Sequence, residues 1–259
     1  MNKLLNSFNE YFEVIPTDTP ELLEQAFRLR YRSYCIEDRV PDFEAEKYPD
    51  GLEFDKYDQR SVQCLLRQKE MGFLVGVVRL VLHDPDNEEA LFPVEEYAGQ
   101  YFDDNVFQRQ DLPRSRTAEI SRLCILSEYR LRKDELNSLY GNIDGLRHSG
   151  KDRRQFPHPI LGLMVAIMRM SVQNGITHWY AGMDPKLNKR LSMLGLDLTR
   201  IGPIVSYHGQ RRPYIGVIEK VMKIAYASHR DIWGLLTDEG SIYPVPYDVN
   251  DMLSNNGRN

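Results

Sequence analysis

The chain has little cysteine. Cys35, Cys64 and Cys124 are odd in number, widely spaced and form no CxxC pair, which argues against a disulfide framework or a tetrahedral zinc site. The six histidines form no HxxxH or HExxH pattern. The opening MNKLLNSFNEYFEV lacks the apolar stretch of a signal peptide. No run approaches the roughly 18 apolar residues of a membrane span. Basic charge is not in excess either: the net charge is −5 and the pI about 5.7, so a strongly basic nucleic-acid footprint is absent. These absences lead us to expect a reduced, metal-free, cytoplasmic protein with no integral membrane segment and no nucleic-acid partner.

What is present is a core-forming composition, with 42% hydrophobic residues in 259, enough for one large domain. Charge is unevenly distributed. Ile36–Asp58 carries nine acidic and three basic residues, and Arg109–Arg154 eleven basic and seven acidic. Segments of opposite sign on one chain suit two different partners, or simply a solvated surface.

Periodicity and punctuation give the organisation. Residues 1–17 read as a polar lead-in. Asp18 or Thr19 can cap a helix that has Pro20 in its first turn and runs to about Cys35. An irregular acidic loop follows over 36–60. Ser61–Arg67 and Phe73–Leu82 read as strands, the second almost continuously apolar and therefore central. Leu91–Tyr97 is a short helical turn and Thr117–Ser127 another central strand. A basic insertion occupies about 128–157, and Ile160–Asn174 is an amphipathic helix. Ile176–Gly182 is a strand, Pro185–Leu194 a helix stopped by Gly195, and Ile215–Ala225 a strand or a strand running into a helix. Residues 233–259 read as a loosely attached tail. The expectation is a single mixed α/β domain over 18–232.

Three arginines stand in apolar settings: Arg30 on the apolar face of the first helix, Arg79 in VVRLVL and Arg122 in ISRLCIL. A buried arginine requires a partner. Glu53, Asp55 and Asp58 in LEFDKYD, and Glu119 at the head of EISR, are the carboxylates at hand. Such a set can be an ion-pair network that holds the acidic loop, a charged pocket for an amine or carboxylate, or both. Strand alternation puts Glu119 and Ser121 on one face and Ile120 and Arg122 on the other, unless a bulge intervenes.

Several motifs occur in a particular order: Arg30-Tyr31-Arg32-Ser33-Tyr34-Cys35, Tyr48-Pro49-Asp50-Gly51 with Glu53, Asp55 and Asp58, Gly76–Val81, Phe92-Pro93 and Glu119-Ile120-Ser121-Arg122. In this order they resemble the exosortase (PEP-CTERM) system-associated acyltransferases. Those are similar to N-acyl amino acid synthases and, more distantly, to acyl-homoserine-lactone synthases of the GNAT superfamily. The resemblance spans about Arg30 to Gly216. It implies a GNAT-like α/β (α+β) fold with a central twisted mixed sheet flanked by helices. It also implies a long-chain acyl-phosphopantetheine thioester, on acyl carrier protein or CoA, as donor substrate, with no permanently bound cofactor.

By the same resemblance Arg30, Tyr34, Asp55, Asp58, Arg79 and Arg211 are substrate-binding candidates. Glu119 is the candidate base, with Arg122 beside it and the Cys124 backbone N–H available for an oxyanion. The Cys124 thiol reads as core, since no histidine partner is evident. Arg79 or Arg211 could clamp an amino-acid carboxylate. The pyrophosphate-binding glycines of acetyl-CoA enzymes are missing from Glu128-Tyr129-Arg130-Leu131-Arg132-Lys133. Arg130, Arg132, Lys133, Arg153 and Arg154 are therefore read as a basic edge for an acidic carrier protein. The tryptophan that follows the first helix in lactone synthases is absent, the nearest aromatic being Phe43, which counts against S-adenosylmethionine as acceptor. The expected activity is N-acylation of a small amine, most simply an amino acid. The alternatives are a lactone synthase and a non-catalytic carrier-binding module.

Overall fold

The computed structural model describes residues 2–130, 140–141 and 156–246. Two compact units, each assembled from separated stretches of chain, make up the fold.

The unit formed by Asn6–Val81 and Ile120–Met170 is built on strands β1 (Phe12–Pro16), β2 (Ser61–Gln68), β3 (Leu74–Leu82) and most of β4 (Thr117–Ile125), adjacent in that order. β1 and β2 are antiparallel, from Phe12↔Gln68 to Pro16↔Cys64. β2 and β3 are antiparallel with Gln63 opposite Arg79, and the register shifts at Leu66/Arg67. The central position expected for β3 is observed: Val75, Val77, Val78, Leu80 and Val81 are fully buried. Gly76 is needed there, because a Cβ would lie 2.8 Å from the Cys124 carbonyl oxygen.

Two helices enter this unit with a clear local cause. α2 (Pro20–Tyr31) starts where the Thr19 hydroxyl accepts the Leu22 N–H at 3.3 Å, and it continues into a π-helical turn over Arg32–Glu37. α4 (Pro159–Gln173) was expected to be amphipathic. Instead it is buried nearly all round from Leu161 to Met170, with Arg169 half-buried, because its apolar residues exceed one face. The expected insertion lies largely outside the described residues. Of it, β5 (Tyr140–Gly141) and β6 (Phe156–Pro157) form an antiparallel pair.

Residues 1–17 are not a lead-in. They form helix α1 (Lys3–Tyr11) and edge strand β1. Leu4, Phe8, Tyr11 and Phe12 recur at helical spacing and are all buried, a short periodicity masked by intervening polar residues.

The other unit comprises Met1–Leu5, Leu82–Glu119 and Ser171–Asn259. Its strands are β7 (His178–Met183), β10 (Gln210–Val217), β8 (Thr199–Arg200) and β9 (Val205–Ser206). β10 pairs antiparallel with β7, from Arg212↔Met183 to Val217↔His178, and with both short strands. α3 (Pro93–Ala98), α5 (Pro185–Ser192), α6 (Ile218–Ser228) and α7 (Arg230–Thr237) complete it. β10 runs directly into α6, one of the two readings left open for residues 215–225.

The tail does not begin at 233. Trp233 is 1% exposed, meets Tyr226 edge-on at 4.8 Å, and lies in α7 beside the buried Ile232, Leu235 and Leu236. Packing of this apolar turn outweighs the proline and polar residues that follow it. Trp233→Ala should destabilise the chain by roughly 3–5 kcal/mol, measured by urea unfolding. A change below about 1 kcal/mol would mean that α7 is not part of the cooperative core.

Candidate active site

Asp55 and Asp58 are oriented by a local rule. Asp55 caps a 3-10 turn over Lys56–Arg60: its carboxylate accepts the Tyr57 N–H at 2.9 Å, while Asp58 returns a carboxylate oxygen to the Asp55 N–H at 2.8 Å. This reciprocal cap turns both carboxylates toward the sheet, where Arg30 from α2, Arg79 from β3 and Arg122 from β4 converge on them.

The result is a cluster of three guanidinium groups and three carboxylates. Arg30 donates from Nε to Glu53 at 2.5 Å and forks onto Asp58 at 2.7 and 3.1 Å. Arg79 forks onto Asp55 at 2.7 and 3.0 Å and donates from Nε to the Ser121 hydroxyl at 2.9 Å. Arg122 reaches Glu53 at 3.1 Å and Asp55 at 2.7 Å. Gln63 accepts from Arg30 at 3.1 Å and donates to Asp58 at 3.0 Å. The side chains of Arg30, Arg79 and Glu53 are completely buried, whereas Arg122 is 10% and Asp55 24% exposed. Asp55 and Arg122 therefore form the accessible rim.

Ser121 and Arg122 both reach this cluster, which strand alternation forbids. The reason is backbone: Arg122 has φ +49°, a left-handed conformation that breaks the alternation and costs a non-glycine residue of order 1–3 kcal/mol. The break in alternation that the sequence left open is thus realised in the backbone of Arg122. Residues 120–123 are partly exposed in the middle of a strand whose two ends are buried.

Burial acts to raise the pKa of Glu53, Asp55 and Asp58, but the adjoining arginines overcome it and hold all three below the usual carboxylate range. The reverse balance keeps Arg30 charged: Glu53 and Asp58 outweigh its desolvation.

The substrate-binding candidates Arg30, Asp55, Asp58 and Arg79 are thus brought together with Arg122 from the catalytic set. Arg79, however, offers no clamp for a substrate carboxylate, since Asp55 already occupies its fork. Tyr34 stacks on Phe43 at 5.0 Å, and the Arg122 guanidinium lies 4.8 Å from the centre of the Phe43 ring. The Cys124 thiol is held by Ser33 and Tyr34 and pushed up to about 11 by burial, so it remains protonated at neutral pH. Glu53, Gln63, Ser121 and Phe43 belong to the site although the sequence did not mark them as site residues. For Glu53 the signal was present, in its place beside Asp55 and Asp58.

Glu119 has a different setting. It is 3% exposed, and its Oε2 accepts the Val94 N–H at 2.7 Å, at the start of α3. That helix start is braced by Glu95, which accepts from Arg114 at 2.8 Å, from Arg109 at 3.0 Å and from the Phe92 N–H at 2.9 Å. Glu95 and Arg114 escaped the sequence reading. Arg211 lies on β10 opposite Val205. Arg130 is paired with Asp38 at 2.6 and 2.7 Å and donates to the Ile125 carbonyl at 2.6 Å. Arg132, Lys133, Arg153 and Arg154 lie outside the described residues.

Residues 29–137 match the family described as acetyltransferase (GNAT) domain. No curated protein matches the chain. Among solved structures, BjaI, a CoA-dependent acyl-homoserine lactone synthase determined with SAM and isopentyl-CoA, is 20% identical with a TM-score of 0.52, over 90% of this chain and 90% of that one. FeeM, an N-acyl amino acid synthase from uncultured soil microbes, is 12% identical with a TM-score of 0.50, over 82% of this chain and 93% of that one. The lactone synthase LasI is 18% identical with a TM-score of 0.50, over 80% and 88%. At these identities the likeness is one of fold, and it is the GNAT-like α/β fold implied by the motifs.

The cluster generates two stability predictions. Glu53→Ala leaves Arg30 and Arg122 short of a counter-charge and should cost roughly 3–5 kcal/mol, with Glu53→Gln milder, both read by urea unfolding. Because the folded carboxylates titrate below their unfolded value of about 4, their contribution is complete above that pH. It declines as pH falls below it. Unfolding free energies taken between pH 7 and pH 3 should therefore be flat above about pH 5 and drop below about pH 4. A drop centred near neutrality would contradict the assignment.

Proposed function

We propose that the chain moves a fatty acyl group from a phosphopantetheine thioester to the amino group of a small acceptor, a reading supported by the match of residues 29–137 to the acetyltransferase (GNAT) domain family. The observation that carries this reading is the middle of β4. Four partly exposed residues lie between buried strand ends, the left-handed Arg122 is among them, and Asp55 joins it to form a charged rim. A central strand open only at its middle is suited to be the floor of a substrate cleft.

In this reading the acceptor amine attacks the thioester carbonyl. An N–C bond forms, the C–S bond breaks, and the amine proton passes to Glu119 directly or through a water. The departing thiolate takes up a proton. The Cys124 backbone N–H holds the developing oxyanion, and holding amine and carbonyl together supplies most of the acceleration. The Cys124 thiol takes no part, because burial keeps it protonated. The Tyr34–Phe43 pair walls the cleft beside Arg122. The Arg30–Arg79–Asp58 interior acts as a positioning frame, since its hydrogen-bonding groups are engaged with one another. An amino acid is the favoured acceptor. The basic edge of Arg130, Arg132, Lys133, Arg153 and Arg154 is assigned to carrier docking.

FeeM supports an N-acyl amino acid product by its fold, and BjaI with SAM supports a lactone product in the same way. The absence of a tryptophan after the first helix favours the former. Mass spectrometry of the chain with acyl carrier protein and CoA thioesters, the twenty amino acids and S-adenosylmethionine decides between them. An N-acyl amino acid is expected. A lactone would replace this reading with the synthase one, and carrier binding without any product would leave a non-catalytic binding module. In the same assay Glu119→Gln should lower kcat by about 10²–10⁴-fold and flatten its pH profile, whereas Cys124→Ser should retain turnover. A silent Cys124→Ser with normal folding would restore the thiol as a nucleophile.

A further inference from the structure

A cavity of about 610 Å³ lies within the unit that contains β7 and β10, a size within the range of small-molecule sites. The end of α4, the start of β7 and the β10–α6 junction supply its apolar wall, through Val172, Ile176, Val217 and Ile218, and Ile242 and Pro244 cross it from the C-terminal side. Val172 is 41% exposed, an apolar side chain presented to an open space.

Arg116 and His178 line one part of the cavity. The charge of Arg116, together with that of Lys220, adds to burial in holding His178 below its ordinary pKa. Arg116 and Lys220 thus make the surroundings of His178 electropositive. Glu219 also lines the cavity, but its charge acts on Tyr243, whose pKa is raised first by burial and then by Glu219. Among the described residues no carboxylate stands within ion-pair distance of Arg116. Its guanidinium makes only a long 3.5 Å contact to the Gly175 carbonyl. Thr177, between Arg116 and His178, is tied to the Arg116 carbonyl through its N–H at 2.8 Å and to His178 Nδ1 through its hydroxyl at 2.8 Å. The cation-bearing segment is thus fixed in place while, among the described residues, no carboxylate pairs with its charge.

We propose that this cavity is a second ligand site, for an apolar chain ending in a carboxylate. The carboxylate meets Arg116 beside His178, and the chain lies along Val172, Ile176, Val217 and Ile218. The argument uses none of the residues assigned to acyl transfer and stands independently of that activity.

Titration calorimetry of the full chain with octanoate, with 1-octanol as the uncharged control, tests it. Octanoate should bind at one site, and 1-octanol at least about tenfold more weakly, as for loss of a charged hydrogen-bonding partner. Arg116→Ala, at an exposed position, should remove that difference. Val172→Trp, which fills the cavity from an exposed helix position, should abolish octanoate binding without lowering the melting temperature. In NMR titrations octanoate should raise the His178 pKa, because an anion then offsets Arg116 and Lys220. No octanoate binding by the intact chain, or binding undiminished in both variants and silent at His178, would overturn the proposal.

Discussion

Three guanidinium groups in the interior of a folded unit require three carboxylates to come with them, and much of the chain's architecture follows from that requirement. Arg79 and Arg122 come from the adjacent strands β3 and β4, and Arg30 is brought to them from α2. Glu53, Asp55 and Asp58 answer them from a single acidic stretch. The long acidic segment between α2 and β2 is therefore a counter-charge supply with a local folding rule of its own: Asp55 and Asp58 cap one turn of 3-10 helix and in doing so present their carboxylates. Desolvating such a set is expensive. It persists because nearly every lone pair and N–H of the interior members finds a partner within the cluster.

This saturation separates structural from chemical roles. Arg79 has given its fork to Asp55 and its Nε to Ser121, so it holds the frame and does not grip a substrate. Asp55 and Arg122 belong to the same network but remain partly exposed. They are where the frame meets solvent. The left-handed backbone at Arg122 serves the same end. It spends conformational energy to place two successive β4 side chains in one cluster, and the ion pairs to Glu53 and Asp55 hold that strain. Strain of this kind collects where geometry matters for function.

The other unit repeats the logic more modestly. Glu95 gathers Arg109, Arg114 and the Phe92 N–H at the start of α3, and the next N–H is given to Glu119. Here two carboxylates serve one helix terminus, where the orphan N–H groups and the helix dipole favour negative charge. The cavity lined by β7, β10 and α6 shows a different condition: among the described residues no carboxylate pairs with Arg116, and the second ligand site is proposed on that contrast.

Much of this was legible in the residues. The strands β2, β3 and β4 and the helices α2 and α5 carry their own periodicity and punctuation, so local physics determined them, whereas residues 215–225 left a strand and a strand running into a helix both open. The three arginines declared themselves by standing in apolar runs, and the nearby carboxylates by the need for neutralisation. Helix α1 and strand β1 were illegible because their apolar positions are few, and their stability comes from packing against distant parts of the chain. The same holds for Trp233, whose surroundings are polar in sequence and apolar in space. Which carboxylate meets which arginine was a tertiary decision, since ion pairing depends on distances of a few ångströms between segments far apart in the chain. So was the φ of Arg122, which residue type disfavours and only the assembled cluster sustains. The sequence alone determined that buried charge would need partners. Only folding decided that Arg79 would be closed off, that Asp55 and Arg122 would form the rim, and that Arg116 would face a cavity, because each of these outcomes depends on three-dimensional neighbours that no local pattern encodes.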